Sequence, residues 1–421
     1  MTLTNTSIDK QVSILMHGSE FGDEQIKEMM TKELKQKLID AKAEGRPLRV
    51  YCGYDVTAPD IHLGHMVILR KMRQFQDFGH EVTFLIGTFT TLIGDPSDRD
   101  EARSIALEED IKKNAQTYAD QAIKILDAEK TKILYNTEWL SKLSFADVIS
   151  MASCFTVQQF LVRDRLRNRY EKNDPIWLRE LLYPLAQGYD AVSLQADVQL
   201  GATEQLFNLM AGRRLQEVFG QKPQVCLTYP VLAGTDGVQR MSKTTGNYIG
   251  VSEPPEEIYG KTMSIPDSLI LQYFELLTDV TDEELDEFKR QLADNSFNPM
   301  TLKKRLARDI VTQLYSEKQA KEAEVYFERV HQDRKEPEEI EEFPLSFNPF
   351  RDSSGRVHVP RLLVATGIAA STSEVSRLIN QGAIEMDGQR IHAYYVTMPD
   401  VSNFKVGKRR FVKVINTDRE E

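Results

Sequence analysis

Cysteine is scarce in this sequence, with three in 421 residues. Cys52, Cys154 and Cys226 are widely spaced and odd in number, and no CxxC pair or Cys/His ladder accompanies them. That excludes a disulfide framework and a structural zinc site, so reduced thiols are expected. Long apolar runs are missing too: none approaches the roughly 18 residues of a membrane span. The opening MTLTNTSIDK lacks the basic-then-apolar order of an export signal. A cytoplasmic chain with no membrane partner is the expectation. Positive charge is also short, and a formal net charge of −11 argues against wholesale coating of nucleic acid. The deficit is uneven. From Arg356 to Glu421 ten Lys/Arg stand against seven Asp/Glu, so the tail carries +3 and the preceding 355 residues carry −14. A mildly basic end on an acidic body suggests a separate module.

What is present suffices for two or three domains, since 41% of the residues are hydrophobic. Residues 48 to 55, LRVYCGYD, read as a buried strand. Met66, Leu69, Met72, Phe75 and Phe78 then recur at helical spacing up to Gly79, and VTFLIG at 82 to 87 reads as a second strand. Strand, loop, helix and strand make a βαβ unit, which predicts a parallel sheet with ligands at the carboxyl ends of its strands, here the loop from Cys52 to His65. Residues 105 to 128 and 154 to 170 are expected to be helical. The latter includes RDRLRNRY, either a solvated helix face or a patch for RNA phosphates. Residues 225 to 232 suggest another strand, and 252 to 333 a helical domain. RKEPEEIEEFPLSFNP, 334 to 349, has three prolines and an acidic run, the composition of a linker. The tail beyond it reads as two short helices and a strand turned by Asp387-Gly388.

Two stretches carry chemistry. DIHLGH places His62 and His65 three apart at a helix start. The pair could bind metal, although no third ligand is evident, or be structural, or meet phosphate: helix amides and the positive dipole end attract anions, imidazoles add donors, and Gly64 keeps a side chain out of a nucleotide's way. About 180 residues on, GVQRMSKTTGN sets Arg240 and Lys243 in a loop of Gly, Ser and Thr with little to pack. A mobile loop is expected, its lysine able to close over a triphosphate.

HLGH followed by RMSKT resembles the HIGH and KMSKS elements of class I aminoacyl-tRNA synthetases. Both histidines, the glycine, Met241, Ser242 and Lys243 are kept, and Arg240 preserves the charge of the usual lysine. Within that class YCGYDVTAPDIHLGH, LIGDPS and YPLAQGYDAVSLQADVQLGATEQ are similar to the tyrosyl-tRNA synthetases, from about Ile26 to the C-terminus. The resemblance implies a tyrosine site of Tyr51, Asp95, Tyr183, Gln187, Asp190 and Gln205. Tyr51 and Asp190 would meet the phenol, and Asp95, Tyr183 and Gln187 the ammonium. A buried phenol hydroxyl needs a donor and an acceptor, which a Tyr and Asp pair supplies. The resemblance further implies ATP contacts from Cys52, Gly53, Asp55, Gly64, Glu204, Met241, Ser242 and Lys243, with His62, His65 and Lys243 as the catalytic set. Glu204 stands where the family usually has an aspartate near the ATP ribose.

The implied fold is α/β: a Rossmann-like parallel-sheet catalytic domain over 1–235 with a helical insertion, then the MSK loop and a helical anticodon-binding domain over 236–335. A linker, 336–350, and a small α+β RNA-binding module, 351–421, would follow. That module resembles one shared by a small-subunit ribosomal protein and pseudouridine synthases, and would present Arg361, Arg377, Lys408, Arg409 and Arg410 to RNA. The implied reaction is attack of the L-tyrosine carboxylate on the α-phosphate of ATP, with Mg2+ accompanying the nucleotide, then transfer to tRNA(Tyr). A homodimer is implied as well. The rivals are a tryptophanyl enzyme of the same fold, a nucleotidyltransferase carrying HxGH, and a non-catalytic RNA-binding protein. Tyr51 with Asp190, the MSK loop, and the retained histidines and Lys243 argue against them in turn.

Overall fold

The computed structural model describes residues 6–57, 59–96, 108–162, 164–243, 245–294, 297–332, 341–407 and 410–418. The chain divides into two compact units, Met1–Ala320 and Lys321–Glu421.

The first unit is built on a five-stranded sheet of β1 (Arg49–Tyr54), β2 (Glu81–Ile86), β3 (Thr131–Tyr135), β4 (Val198–Ala202) and β5 (Val225–Tyr229), in the order β3-β2-β1-β4-β5. Every neighbouring pair is parallel, as the short apolar runs joined by helices predict. The chain winds outward from β1 through β2 to β3, then returns to lay β4 on the other flank of β1. That reversal between β1 and β4 opens a crevice at the carboxyl ends of the two strands, where open α/β sheets bind ligands. The helix expected at 66–78 spans Leu63–Asp77 and buries Met66, Leu69, Met72 and Phe75 against the sheet. Residues 154–170 hold two short helices, Val157–Leu161 and Asp164–Glu171. The long helix Leu178–Leu194 precedes β4. After β5 come the helices Pro255–Met263, Ile270–Leu277, Asp282–Ala293 and Pro299–Leu314, which belong to the same compact unit as the sheet.

The second unit pairs the helices Val359–Ala365 and Thr372–Asn380 with strands β6 (Glu342–Leu345), β7 (Val357–His358), β8 (Ile384–Met386), β9 (Gln389–Arg390), β10 (Tyr395–Val396), β11 (Val401–Val406) and β12 (Arg410–Asn416). Its main sheet runs β6-β12-β11-β8-β9, and β7 pairs with β10. Asp387 and Gly388, with φ of 50° and 80°, form the hairpin turn between β8 and β9. The stretch whose composition predicts a linker differs from that expectation over its described part. Residues 342–345 form β6 and pair with β12, and Phe347 is fully buried in the core with Val359, Leu362, Val375, Ile379 and Phe404. The reason is the alternation Phe343, Leu345, Phe347, which gives this acidic segment one apolar face. Residues 333–340, the rest of that stretch, lie outside the described residues. Among the described residues no helix is long and apolar enough to cross a membrane.

Candidate active site

At the β1/β4 reversal lies a cleft of about 320 Å3. Cys52, Gly53 and Asp55 from the end of β1, His62, Gly64 and His65 from the next helix, and Tyr183, Gln187 and Asp190 from Leu178–Leu194 all line it. So do Asp95, Glu204, Gln205, Arg240, Met241, Ser242 and Lys243. Tyr183, Gln187 and Asp190 share one helical face through their i, i+4, i+7 spacing. Of the residues assigned above to tyrosine, ATP or catalysis, Tyr51 is the one that does not line the cleft. It is buried in an apolar cluster with Leu85, Ala191 and Ala196. Its hydroxyl makes no hydrogen bond of good geometry among the described residues; burial and the Asp190 carboxylate raise its pKa, and nearby Gln224 pulls it slightly the other way.

The histidines are built into the start of their helix. His62 is the N-cap, and its Nδ1 accepts from the Gly64 amide at 3.2 Å. His65 Nδ1 accepts from the His62 amide at 3.2 Å, and the two rings lie 3.9 Å apart. Burial pushes the His65 pKa down to about 4, and burial, helped by His65 and the Arg240 cation, pushes that of His62 to about 2. Both are therefore neutral near pH 7. With each Nδ1 accepting a backbone N–H, the ring proton sits on Nε2, so each imidazole keeps one donor.

This corrects one part of the sequence-based picture. The first helix amides are already bonded, Leu63 N to the Ile249 carbonyl at 2.9 Å and Gly64 N to His62, so the donors this helix start still offers to the cleft are those of the imidazoles. Gly64 also has a more local reason than room for a nucleotide, since a Cβ there would meet His62 Cε1 at 2.9 Å.

The Ile249 bond is one of two backbone hydrogen bonds that join the two motifs. His62 pairs with Gly250 as an antiparallel bridge, and Val251 N donates to the Ile61 carbonyl at 3.0 Å. The loop of 232–247 is thus brought beside the histidines. Lys243 Nζ pairs with Asp60, and Arg240 Nη1 lies 3.2 Å from Glu204 Oε1. Little in this loop's sequence suggests order, yet Asn247, 5% exposed, braces it. Its Oδ1 accepts from Ser242 N at 2.9 Å, and its Nδ2 donates to Asp236 at 2.8 Å and the Arg240 carbonyl at 3.1 Å.

The opposite end of the cleft is a hydrogen-bonded chain. Tyr183 donates to Asp55 at 3.1 Å, and Thr90 donates to the other Asp55 oxygen at 2.7 Å. Asn136 Nδ2 reaches Thr90 Oγ1 at 3.0 Å and Asp190 Oδ2 at 3.2 Å, and Trp139 Nε1 donates to Asp190 Oδ1 at 2.7 Å. Burial drives the Asp190 carboxyl up to about 8, against the pull of Trp139 and Asn136 and with help from Asp55. Asp95 is held by Gln205 and Asn208. Sequence reasoning missed Thr90, Asn136, Trp139, Asn208 and Asn247. Asn136 carried a usable signal, since it directly follows β3 and so sits at a strand's carboxyl end.

Among the described residues no group of three or more His, Cys, Asp or Glu is placed to hold a metal ion. In the second unit Arg361 and Arg377 are exposed. Arg410 instead donates to the Ile368 carbonyl at 2.7 Å and pairs with Glu374 at 2.8 Å, tying β12 to the helix Thr372–Asn380. Lys408 and Arg409 lie outside the described residues. Of the arginines in RDRLRNRY, Arg169 belongs neither to a solvated face nor to an RNA patch: it is buried and paired with Glu180 at 2.6 Å.

Residues 42–332 match the family described as tRNA synthetases class I (W and Y). The tyrosine–tRNA ligase of Geobacter metallireducens is 45% identical over 97% of this chain and 99% of its own. That of Carboxydothermus hydrogenoformans is 48% identical over 91% of this chain and 94% of its own. Among solved structures, a tyrosyl-tRNA synthetase from Archaeoglobus fulgidus complexed with L-tyrosine superposes with a TM-score of 0.58 at 25% identity, covering 75% of this chain and 99% of that one.

Proposed function

The chain belongs to the class I tRNA synthetases of the W and Y family, and from that premise we propose how its cleft works as a tyrosine–tRNA ligase. The enzyme activates L-tyrosine with ATP to tyrosyl-adenylate and pyrophosphate, then transfers the tyrosyl group to the 3′ end of tRNA(Tyr). The single observation that carries the reading is the backbone pairing of residues 61–63 with 249–251, which sets HLGH and RMSKT on one cleft whose other end holds Asp190.

Tyrosine lies with its phenol toward Asp190 and its ammonium toward Asp95, Tyr183 and Gln187, with Gln205 holding Asp95. Tyr51 is the phenol's second partner: its buried hydroxyl, near Gln224 but with no hydrogen bond of good geometry, has one to gain, and a small shift of the cleft floor would admit it. The tyrosine carboxylate attacks the α-phosphate of ATP, a new C–O–P bond forms, and the bond to the β-phosphate breaks. No protein nucleophile is needed. Neutral His62 and His65 donate from Nε2 to phosphate oxygens, and Lys243, leaving Asp60, takes the charge that builds on departing pyrophosphate. Cys52, Gly53, Asp55, Gly64, Met241 and Ser242 border the nucleotide. The Cys52 thiol, pushed up to about 12 by burial, stays protonated and plays no nucleophilic part. Magnesium bound with ATP would supply further charge neutralisation; among the described residues no group of three or more His, Cys, Asp or Glu would hold it, so the nucleotide itself would carry it.

Residues 236–335 bind the anticodon region, and the module of 351–421 binds RNA through exposed Arg361 and Arg377, with Lys408 and Arg409 adding two positive charges to its sequence. The enzyme works in the cytoplasm as a homodimer. Support for the dimer comes from exposed apolar side chains gathered between residues 145 and 178, Phe145 at 81% and Leu178 at 75% together with Ile149, Val157, Val162 and Trp177, which a second copy would cover. Sizing should give twice the chain's 48.2 kDa mass, and an active monomer would remove this part. The function itself is tested by pyrophosphate exchange into ATP with each amino acid in turn. Tyrosine alone should support exchange; exchange with tryptophan, or with none, would overturn the assignment.

A further inference from the structure

Two residues of the cleft depart from the pattern this sequence otherwise follows, Glu204 for aspartate and Arg240 for lysine, and the structure brings them together. Glu204 sits in the short turn Thr203–Gln205 at the carboxyl end of β4. Arg240 sits on the MSK loop, and their side chains meet at 3.2 Å. We propose that Glu204 is a positioning residue: by gripping Arg240 it tethers the loop to the β4 wall and so presets where Lys243 stands over the ATP phosphates. The inference rests on the reading of this cleft as the ATP site.

Three features make a tether at position 240 felt at position 243. Asn247 links the Arg240 carbonyl and the Ser242 amide through one side chain, so this stretch moves as a unit. The far end of the loop is fixed by the pairing of His62 with Gly250. The loop's two cations are then held from opposite walls, Arg240 by Glu204 and Lys243 by Asp60. Asp60 belongs to the HLGH side, and its pair with Lys243 is the one a triphosphate replaces. The Glu204 pair can persist, because Arg240 carries its own fixed anion. The Arg240 cation also stands close enough to His62 to help keep that imidazole neutral. The extra methylene of Glu204 gives its carboxylate a longer reach than aspartate, and the guanidinium offers several donors where an ammonium has a single centre. A carboxylate that serves the loop is not thereby directed at the ribose, which accounts for the change from aspartate.

The test is a double-mutant cycle in pyrophosphate exchange with E204Q, R240Q and the double variant. Each single change should lower kcat/KM for ATP about fivefold, as for a partly exposed ion pair with a positioning duty, and the double should fall no lower than about fivefold. KM for tyrosine should stay within about twofold throughout. The preference for ATP over 2′-deoxy-ATP should be the same in E204Q as in the parent. Without any nucleotide, amide hydrogen exchange over 236–247 should quicken in E204Q. Losses that multiply, a 2′-hydroxyl preference that disappears with Glu204, or loop exchange that does not change would each overturn the tether. If the parent chain exchanged no pyrophosphate with any amino acid, the ATP reading would fall, and hydrogen exchange would still decide whether Glu204 restrains the loop.

Discussion

The two ends of the cleft treat charge differently. At the end proposed for tyrosine the polar groups bond to one another in a chain from Tyr183 through Asp55, Thr90 and Asn136 to Asp190 and Trp139. At the end proposed for the phosphates the cations rest on carboxylates at the cleft rim, where Lys243 and Asp60 are each about two-fifths exposed. A buried chain has one arrangement, and altering it leaves desolvated groups without partners. A rim ion pair is weak and exchangeable. Selecting an amino acid calls for the first, and admitting and releasing a polyanion calls for the second. Substitutions at the two ends should therefore differ both in size and in which substrate they affect.

The largest effect is expected at Asp190. In Asp190→Asn the new amide places its NH2 against the donors of Trp139 or Asn136. Two buried donors left short by about 2 kcal/mol each amount to about a thousandfold in kcat/KM for tyrosine. Stopped-flow tyrosine binding should show the loss without ATP; affinity within a few fold of the parent would break the idea of such a chain. Next comes Lys243→Ala, which removes the ammonium proposed to meet the leaving pyrophosphate. It should slow adenylate formation about a hundredfold while tyrosine affinity stays put. Equal losses in both would mean that the ends are not separate. His65→Ala should come third, at about thirtyfold in the same step, because it withdraws one neutral donor.

Much of this contrast was legible in the sequence. The βαβ reading located the cleft, and the strand order then placed it at the β1/β4 reversal. HLGH and RMSKT were legible because each is a run of contiguous residues, and the structure brings the two runs to one cleft. Tyr183, Gln187 and Asp190 came from the family resemblance, and the structure places them on one face of a single helix lining the cleft. Asn136 and Trp139 reach Asp190 from more than 50 residues away and have no motif around them. Asn247 looked like loop filler because its role is to bond backbone groups, which any local sequence offers. Arg169 looked solvated because its partner Glu180 lies in a different helix. The apolar alternation of 343–347 was masked by the acidic and proline-rich composition around it. Long-range pairing is what single-sequence periodicity leaves out.

The smallest effect concerns pH, and it separates the histidines from a charged phosphate clamp. Burial holds His65 near 4 and His62 near 2, both below the ordinary 6.5. A histidine whose folded pKa is depressed resists protonation in the folded state, so the unfolded chain binds more protons between pH 6.5 and 4. The pair's contribution to stability is thus full above about pH 6.5 and declines as pH falls toward 4. Between pH 6 and 8 neither ring titrates, so adenylate formation should show no limb of histidine origin there. Comparing the profiles of the parent and His65→Ala from pH 6 to 8 checks this: they should run parallel, offset by the loss at that position. A limb near 6.5 present in the parent and absent from the variant would mean that a protonated imidazole binds the phosphates, and the contrast of neutral donors with a single mobile cation at Lys243 would have to be redrawn.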